Sequence, residues 1–278
     1  VGIHGYIGAG VIAAAEILML RGVQPVAAFF TPIVWWGYIL LVDAIVLRLN
    51  KKSLIVSRPR EFLLMLPLSI GMWLIFELYN LFIRSWHYLN LPAQLWMRLL
   101  GYGFAFATIT PALLETAELI SSFGWVKRLS QWRPRDFTPW LTPLFFIGVV
   151  SLVLPFIFPS NYMSPLVWLG FIFILEPVNY RFAGSSLLKD WKEGDGRRLV
   201  SLLLAGFWCG ILWEFWNYWA YTKWFYTVPY LQEIKIFEMP ILGYFGFPFF
   251  TVECFLMYST LRLLIRSPRY PQPLSILR

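Results

Sequence analysis

The chain has 278 residues, of which 59% are hydrophobic and 14% charged, whereas a soluble domain carries roughly a quarter charged residues. That balance, with a mean hydropathy of +0.63, excludes an ordinary soluble domain and indicates a polytopic membrane protein. The net charge of +8 would suit a nucleic-acid binder, but the basic residues are sorted by connection and not gathered on one polar face, so nucleic acid is excluded as a partner.

Apolar stretches of spanning length are predicted near residues 4–20, 29–47, 61–83, 99–122, 141–158, 163–181, 199–219 and 240–262. The first is read as a helix and not a signal peptide, because no small-residue cleavage site follows it. The first and fifth are the shortest. Arg48, Lys51, Lys52, Arg58 and Arg60 lie in the second connection; Lys127, Arg128, Arg133 and Arg135 in the fourth; Arg181, Lys189, Lys192, Arg197 and Arg198 in the sixth. Arg262, Arg266, Arg269 and Arg278 follow the last stretch. The opposite connections hold Arg21, Arg84, Arg98, Lys223 and Lys235. The positive-inside rule then places both termini in the cytoplasm. The tail Ser267-Pro-Arg-Tyr-Pro-Gln-Pro is expected to be extended.

The chain also repeats itself. Pro32, Trp35, Gly37, Tyr38, Asp43, Arg48, Ser53 and Leu54 match Pro165, Trp168, Gly170, Phe171, Glu176, Arg181, Ser186 and Leu187 at one constant spacing. Further on, Glu77 and Asn80 match Glu214 and Asn217, and Trp86, Tyr88 and Pro92 match Trp224, Tyr226 and Pro229. Leu100-Gly101-Tyr102 matches Leu242-Gly243-Tyr244. Four helices per repeat return the chain to its starting side. The expected fold is therefore all-α: eight transmembrane helices as two parallel four-helix repeats, residues 1–130 and 131–278.

Carboxylates stand within or at the edge of the apolar runs: Glu16, Asp43, Glu77, Glu115, Glu118, Glu176, Glu214 and Glu253. An ionised acid at mid-bilayer costs about 2.5–3.5 kcal/mol on insertion scales, so these acids face inward, pair or stay protonated. Glu77/Asn80 and Glu214/Asn217 share an E-x-x-N spacing that sets acid and amide on one helix face, where the amide could orient the acid. The competing reading is a hydrogen-bond clamp between the halves. Glu115, Glu118 and Glu253 follow Pro111 and Pro248, expected to kink their helices. Asp43 and Glu176 are expected to anchor helix ends with Arg48 and Arg181. Trp86, Tyr88, Trp224 and Tyr226 lie in aromatic loops beside the acid pairs, as interfacial belt residues or as the lid of a site. Cys209, Cys254, His4 and His87 form no metal-ligand pattern, and no metal or redox cofactor is implied.

The run Trp213-Glu214-Phe215-Trp216-Asn217, Trp224-Phe225-Tyr226, Pro229, Leu242-Gly243, Gly246, Pro248 and Glu253 resembles the order of parts in the membrane-integral lycopene cyclases of bacteria, archaea and fungi. Glu77, Asn80, Trp86, Tyr88, Pro92, Gly101, Pro111 and Glu115 repeat it more loosely, and the resemblance covers about half the chain. The family's Pro-x-Glu-Glu is replaced by Pro248-Phe-Phe-Thr-Val-Glu253, and each half has four helices where the cyclase half has about three. The resemblance implies a protein of a prokaryotic cytoplasmic membrane that binds or acts on an isoprenoid, a carotenoid or another long apolar lipid. Its chemistry would be proton-driven and non-redox, with Glu77, Asn80, Glu214, Asn217 and Glu253 as catalytic candidates. Trp86, Tyr88, Trp224, Tyr226 and Glu115 would contact substrate. A bound lipid or pigment fits this reading. Two others stay open: a non-catalytic subunit of a larger respiratory or photosynthetic membrane complex, which would need other membrane subunits as partners, and a transporter.

Overall fold

The computed structural model describes residues 2–182 and 184–265. Ser267 and the rest of the Pro-rich tail, with Arg266, Arg269 and Arg278, lie outside the described residues. The chain is mainly helical, and eight of the described helices are long and apolar enough to cross a membrane. In order the elements are α1 (Ile3–Leu20), α2 (Phe30–Asn50), the short α3 (Leu54–Ser57), α4 (Pro59–Ile83), β1 (Trp86–Leu89), α5 (Leu95–Ser121) and the short α6 (Gly124–Leu129). There follow α7 (Leu141–Ile157), α8 (Ser164–Arg181), the short α9 (Leu187–Lys192), α10 (Arg197–Trp219), β2 (Lys223–Tyr226), β3 (Lys235–Ile236), β4 (Met239–Pro240) and α11 (Gly246–Leu264). The strands depart from the all-α expectation.

Local sequence explains several boundaries. Pro59 opens α4 at a position whose N–H needs no helical partner. Arg84 closes α4 in the left-handed region at φ 51, donating its N–H to the Asn80 carbonyl, and so turns the chain into β1. Pro111 lies mid-helix in α5, and Ser69 of α4 repairs the opened ladder there. Its hydroxyl donates to the Phe106 carbonyl at 2.6 Å and accepts from the Thr110 N–H at 3.0 Å. Pro248, by contrast, stands in the first turn of α11, so the kink expected there is absent.

Packing is reciprocal. Helix α1 pairs with α2, and α7 with α8. Both pairs close through glycine. A Cβ on Gly8 would lie 2.4 Å from the Gly37 carbonyl oxygen, and one on Gly148 would lie 2.8 Å from that of Gly170. Small residues let helix backbones approach where dispersion and not water drives association. α2 packs on α5 and α8 on α11, while α4 joins α5 and α10 joins α11. Cross-links then run both ways. Trp216 of α10 donates to Glu16 of α1 at 2.9 Å, and Tyr79 of α4 donates to the Leu152 carbonyl of α7 at 3.1 Å.

β1 and β2 form an antiparallel ribbon in which Trp86 faces Tyr226, His87 faces Phe225, and Tyr88 faces Trp224. The central pair, His87 and Phe225, consists of residues that occupy the same place in the two repeated sequences. Their rings stack at 5.3 Å. Because side chains alternate along a strand, Trp86, Tyr88, Trp224 and Tyr226 share the other face.

Candidate functional site

Beneath that face lies a cavity of about 610 Å³, walled by both halves of the chain. Such a volume falls within the roughly 300–1,000 Å³ of small-ligand sites. Trp35 and Trp168, at matching positions of α2 and α8, each reach across to the opposite half. Trp35 meets Trp213 at 5.0 Å and Trp168 meets Phe76 at 5.2 Å between ring centres. Trp73, Tyr102, Phe106 and Phe250 extend the aromatic wall. The four inward ribbon side chains, Trp86, Tyr88, Trp224 and Tyr226, roof it.

Asn80 and Asn217 fix the ribbon. Asn80 accepts from the N–H groups of Ser85 (2.8 Å) and Trp86 (3.2 Å) and donates to the Trp86 carbonyl (2.8 Å). Asn217 accepts from the Trp224 N–H (2.9 Å) and donates to the Trp224 carbonyl (2.8 Å). Each amide thus acts as a strand partner to a backbone that would otherwise leave polar groups unpaired. Neither orients its neighbouring glutamate: the returning strand captures the amide first.

Aromatic donors orient the glutamates instead. One oxygen of Glu77 receives the indole N–H of Trp73 (2.8 Å), that of Trp86 (3.2 Å) and the hydroxyl of Tyr88. Glu214 receives the hydroxyl of Tyr226 at 2.8 Å, and that hydroxyl in turn accepts from the Trp224 indole at 2.7 Å. Burial, and after it the adjacent Glu77, holds the Tyr88 phenol well above its ordinary pKa. Burial and Glu214 do the same for Tyr226. Both phenols therefore remain donors at physiological pH. The carboxylates sit behind the ribbon aromatics, while the tyrosines and tryptophans meet the cavity.

The remaining candidates are elsewhere. Glu253 is fully buried in α11, and neither of its carboxylate oxygens has a hydrogen-bond partner among the described residues. Glu115 lies toward the other end of the bundle, the end of the basic connections, where it accepts from the Leu54 N–H at 3.2 Å. There Asp43 accepts from the Ser53 hydroxyl (2.9 Å) and the Ile55 N–H (2.7 Å), capping α3. Glu176 repeats the arrangement with the Ser186 hydroxyl and the N–H groups of Leu187 (3.2 Å) and Leu188 (2.9 Å), capping α9. These acids cap the following helix and do not pair with Arg48 or Arg181; Arg181 donates to Thr142 at 2.7 Å. Glu118 meets Arg58 at 2.5 Å.

Sequence reasoning passed over Trp35, Trp73, Trp168 and Trp213 as cavity residues, although the constant spacing of Trp35 and Trp168 was a signal. Among the described residues, no group of His, Cys, Asp and Glu side chains is arranged to hold a metal ion. Cys209 and Cys254 are buried free thiols. No protein-family model matches the chain, and no curated protein or solved structure matches it.

Proposed function

We propose that the chain is an integral membrane protein that binds a long apolar molecule, lipid or isoprenoid in character, in the aromatic cavity under its ribbon. Two parallel four-helix halves, residues 1–130 and 131–278, would be related by a pseudo-two-fold axis along the membrane normal, passing between His87 and Phe225. Reciprocal helix packing and the self-matched ribbon register support that arrangement. The basic connections support cytoplasmic termini, with the cavity toward the opposite leaflet.

One observation carries the reading: both halves contribute matched aromatics to a single apolar cavity of about 610 Å³. Rings held by ridge packing and hydrogen-bonded indoles form a preorganised wall, which limits the entropy cost of binding. The geometry favours binding over alkene protonation, because Trp and Tyr side chains stand between the glutamates and the cavity. Tyr88 and Tyr226 are among the polar side chains on the cavity wall that a ligand would meet. The test is native mass spectrometry and solvent extraction of the full chain purified in mild detergent. One long-chain molecule per chain is expected, and Ala105→Trp, which fills the cavity, should lose it while retaining a normal melting curve. A lipid-free wild type, or a variant that keeps the same molecule, would overturn the proposal.

A further inference from the structure

The cavity wall carries two charged side chains, Arg98 and Lys223, and they differ. Lys223 is neutralised: its ammonium meets Glu238 at 2.5 Å and lies 5.3 Å from the Tyr218 ring centre. Arg98 has no such partner. Its Nε is buried without a hydrogen-bond acceptor, and it forms no ion pair among the described residues. The repeat offers no counterpart either. The register that matches Gly101 to Gly243 sets Pro240 against Arg98, and both residues line the cavity. One uncompensated cation thus faces a wall that is otherwise almost wholly apolar. Arg98 is half-buried, with its Nε enclosed and unpaired, so an anionic group that entered the cavity would find a free donor on a charged side chain.

Its place in the fold defines what that acceptor is. Arg98 lies in the first turn of α5, at the ribbon end, while Trp35, Trp213 and Phe250 lie deeper. A molecule with its tail among those rings would bring its head to Arg98. The planar fork of arginine matches the paired oxygens of a phosphate or carboxylate.

Building on the cavity-binding reading, we infer that the occupant is an amphiphile whose anionic head group pairs with Arg98 while its apolar tail fills the aromatic cavity. The head is a phosphate or a carboxylate, and the tail is of isoprenoid or similar length.

Tryptophan-fluorescence titration of the full chain in detergent, with three ligands of one tail, tests this. The ligands are geranylgeranyl monophosphate, geranylgeranoic acid and geranylgeraniol. The wild type should bind the phosphate or the acid at least tenfold more tightly than the alcohol, and the better of the two identifies the head group. Arg98→Gln should abolish that preference, weakening the phosphate and the acid far more than the alcohol; Arg98→Lys, which keeps the charge without the fork, should retain part of it. Equal binding of all three by the wild type would overturn the inference whatever the variants do. So would an equal loss for all three in an Arg98→Gln protein that melts normally. Binding of none of them would overturn the cavity reading itself.

Discussion

Glu77 and Glu214 occupy matching positions on α4 and α10, yet they are held differently. Glu77 is half-buried and takes three aromatic donors on one oxygen. Glu214 is fully buried and takes Tyr226, and its second oxygen has no hydrogen bond among the described residues. The cause lies one turn earlier. Where α4 has Trp73, α10 has Gly210, and a Cβ there would lie 2.3 Å from the Phe247 ring. Close approach of α11 thus removes the space for a third donor. The same E-x-x-N motif yields a half-buried, fully donated carboxylate in one half and a buried, less satisfied one in the other, so tight helix packing has been set against polar satisfaction.

The asparagines give the largest expected effect on that comparison. Asn217→Ala would orphan the N–H and carbonyl of the half-buried Trp224, at up to about 1–3 kcal/mol for each group. Asn80→Ala should cost more, because it orphans three groups, the Ser85 N–H and the Trp86 N–H and carbonyl, on residues that are themselves buried. Thermal unfolding in detergent checks the order; a larger loss for Asn217→Ala would contradict it.

Glycines come next. Gly210→Ala forces its new methyl into the Phe247 ring and should cost about 1–3 kcal/mol by overpacking. Gly71→Ala on α4 meets nothing within 4 Å and should be neutral or stabilise by up to about 1 kcal/mol. A neutral Gly210→Ala would remove the packing explanation for the missing donor.

The helices were largely legible in the sequence, since a run of about twenty apolar residues is a strong signal. Even the shortest predicted runs, 4–20 and 141–158, correspond to α1 (Ile3–Leu20) and α7 (Leu141–Ile157). The last helix starts at Gly246 and not near 240, because Ile241–Phe245 forms a tighter 3-10 turn. The ribbon was not legible. Trp86–Leu89 and Lys223–Tyr226 are four residues each and rich in aromatics, a composition that equally suits interfacial belts. Their pairing joins segments distant in sequence, and local patterning carries no trace of it. The asparagine role was hidden for the same reason. Spacing places Asn80 on the face of Glu77, but what it bonds depends on a strand that folds back over the helix end. Glu115 and the aromatic loops are both polar features next to apolar runs, and depth along the helix axis separates them.

At the basic end the halves differ again, with a smaller expected effect. Arg58 meets Glu118 of a long helix, whereas Arg198 meets Asp190 of the short α9 at 2.7 Å. Burial raises the Asp190 pKa from 3.8 to about 6, and the opposing pull of Arg198 only partly offsets it. The folded state then binds this proton more tightly than the unfolded chain does. The Asp190 contribution to stability is greatest below pH ~4 and declines as pH rises to about 6. Asp190→Asn should flatten that part of the stability profile; an unchanged slope would assign it to other groups.

The central claim is that one molecule occupies a cavity shared by both halves. Photo-crosslinking reads this most directly, with a benzophenone amino acid placed at Tyr102 in one variant and at Phe245 in another, both on the cavity wall. After irradiation in native membranes and mass analysis, the account predicts the same small-molecule adduct at both positions. Different adducts at the two positions, or none at either, would contradict it.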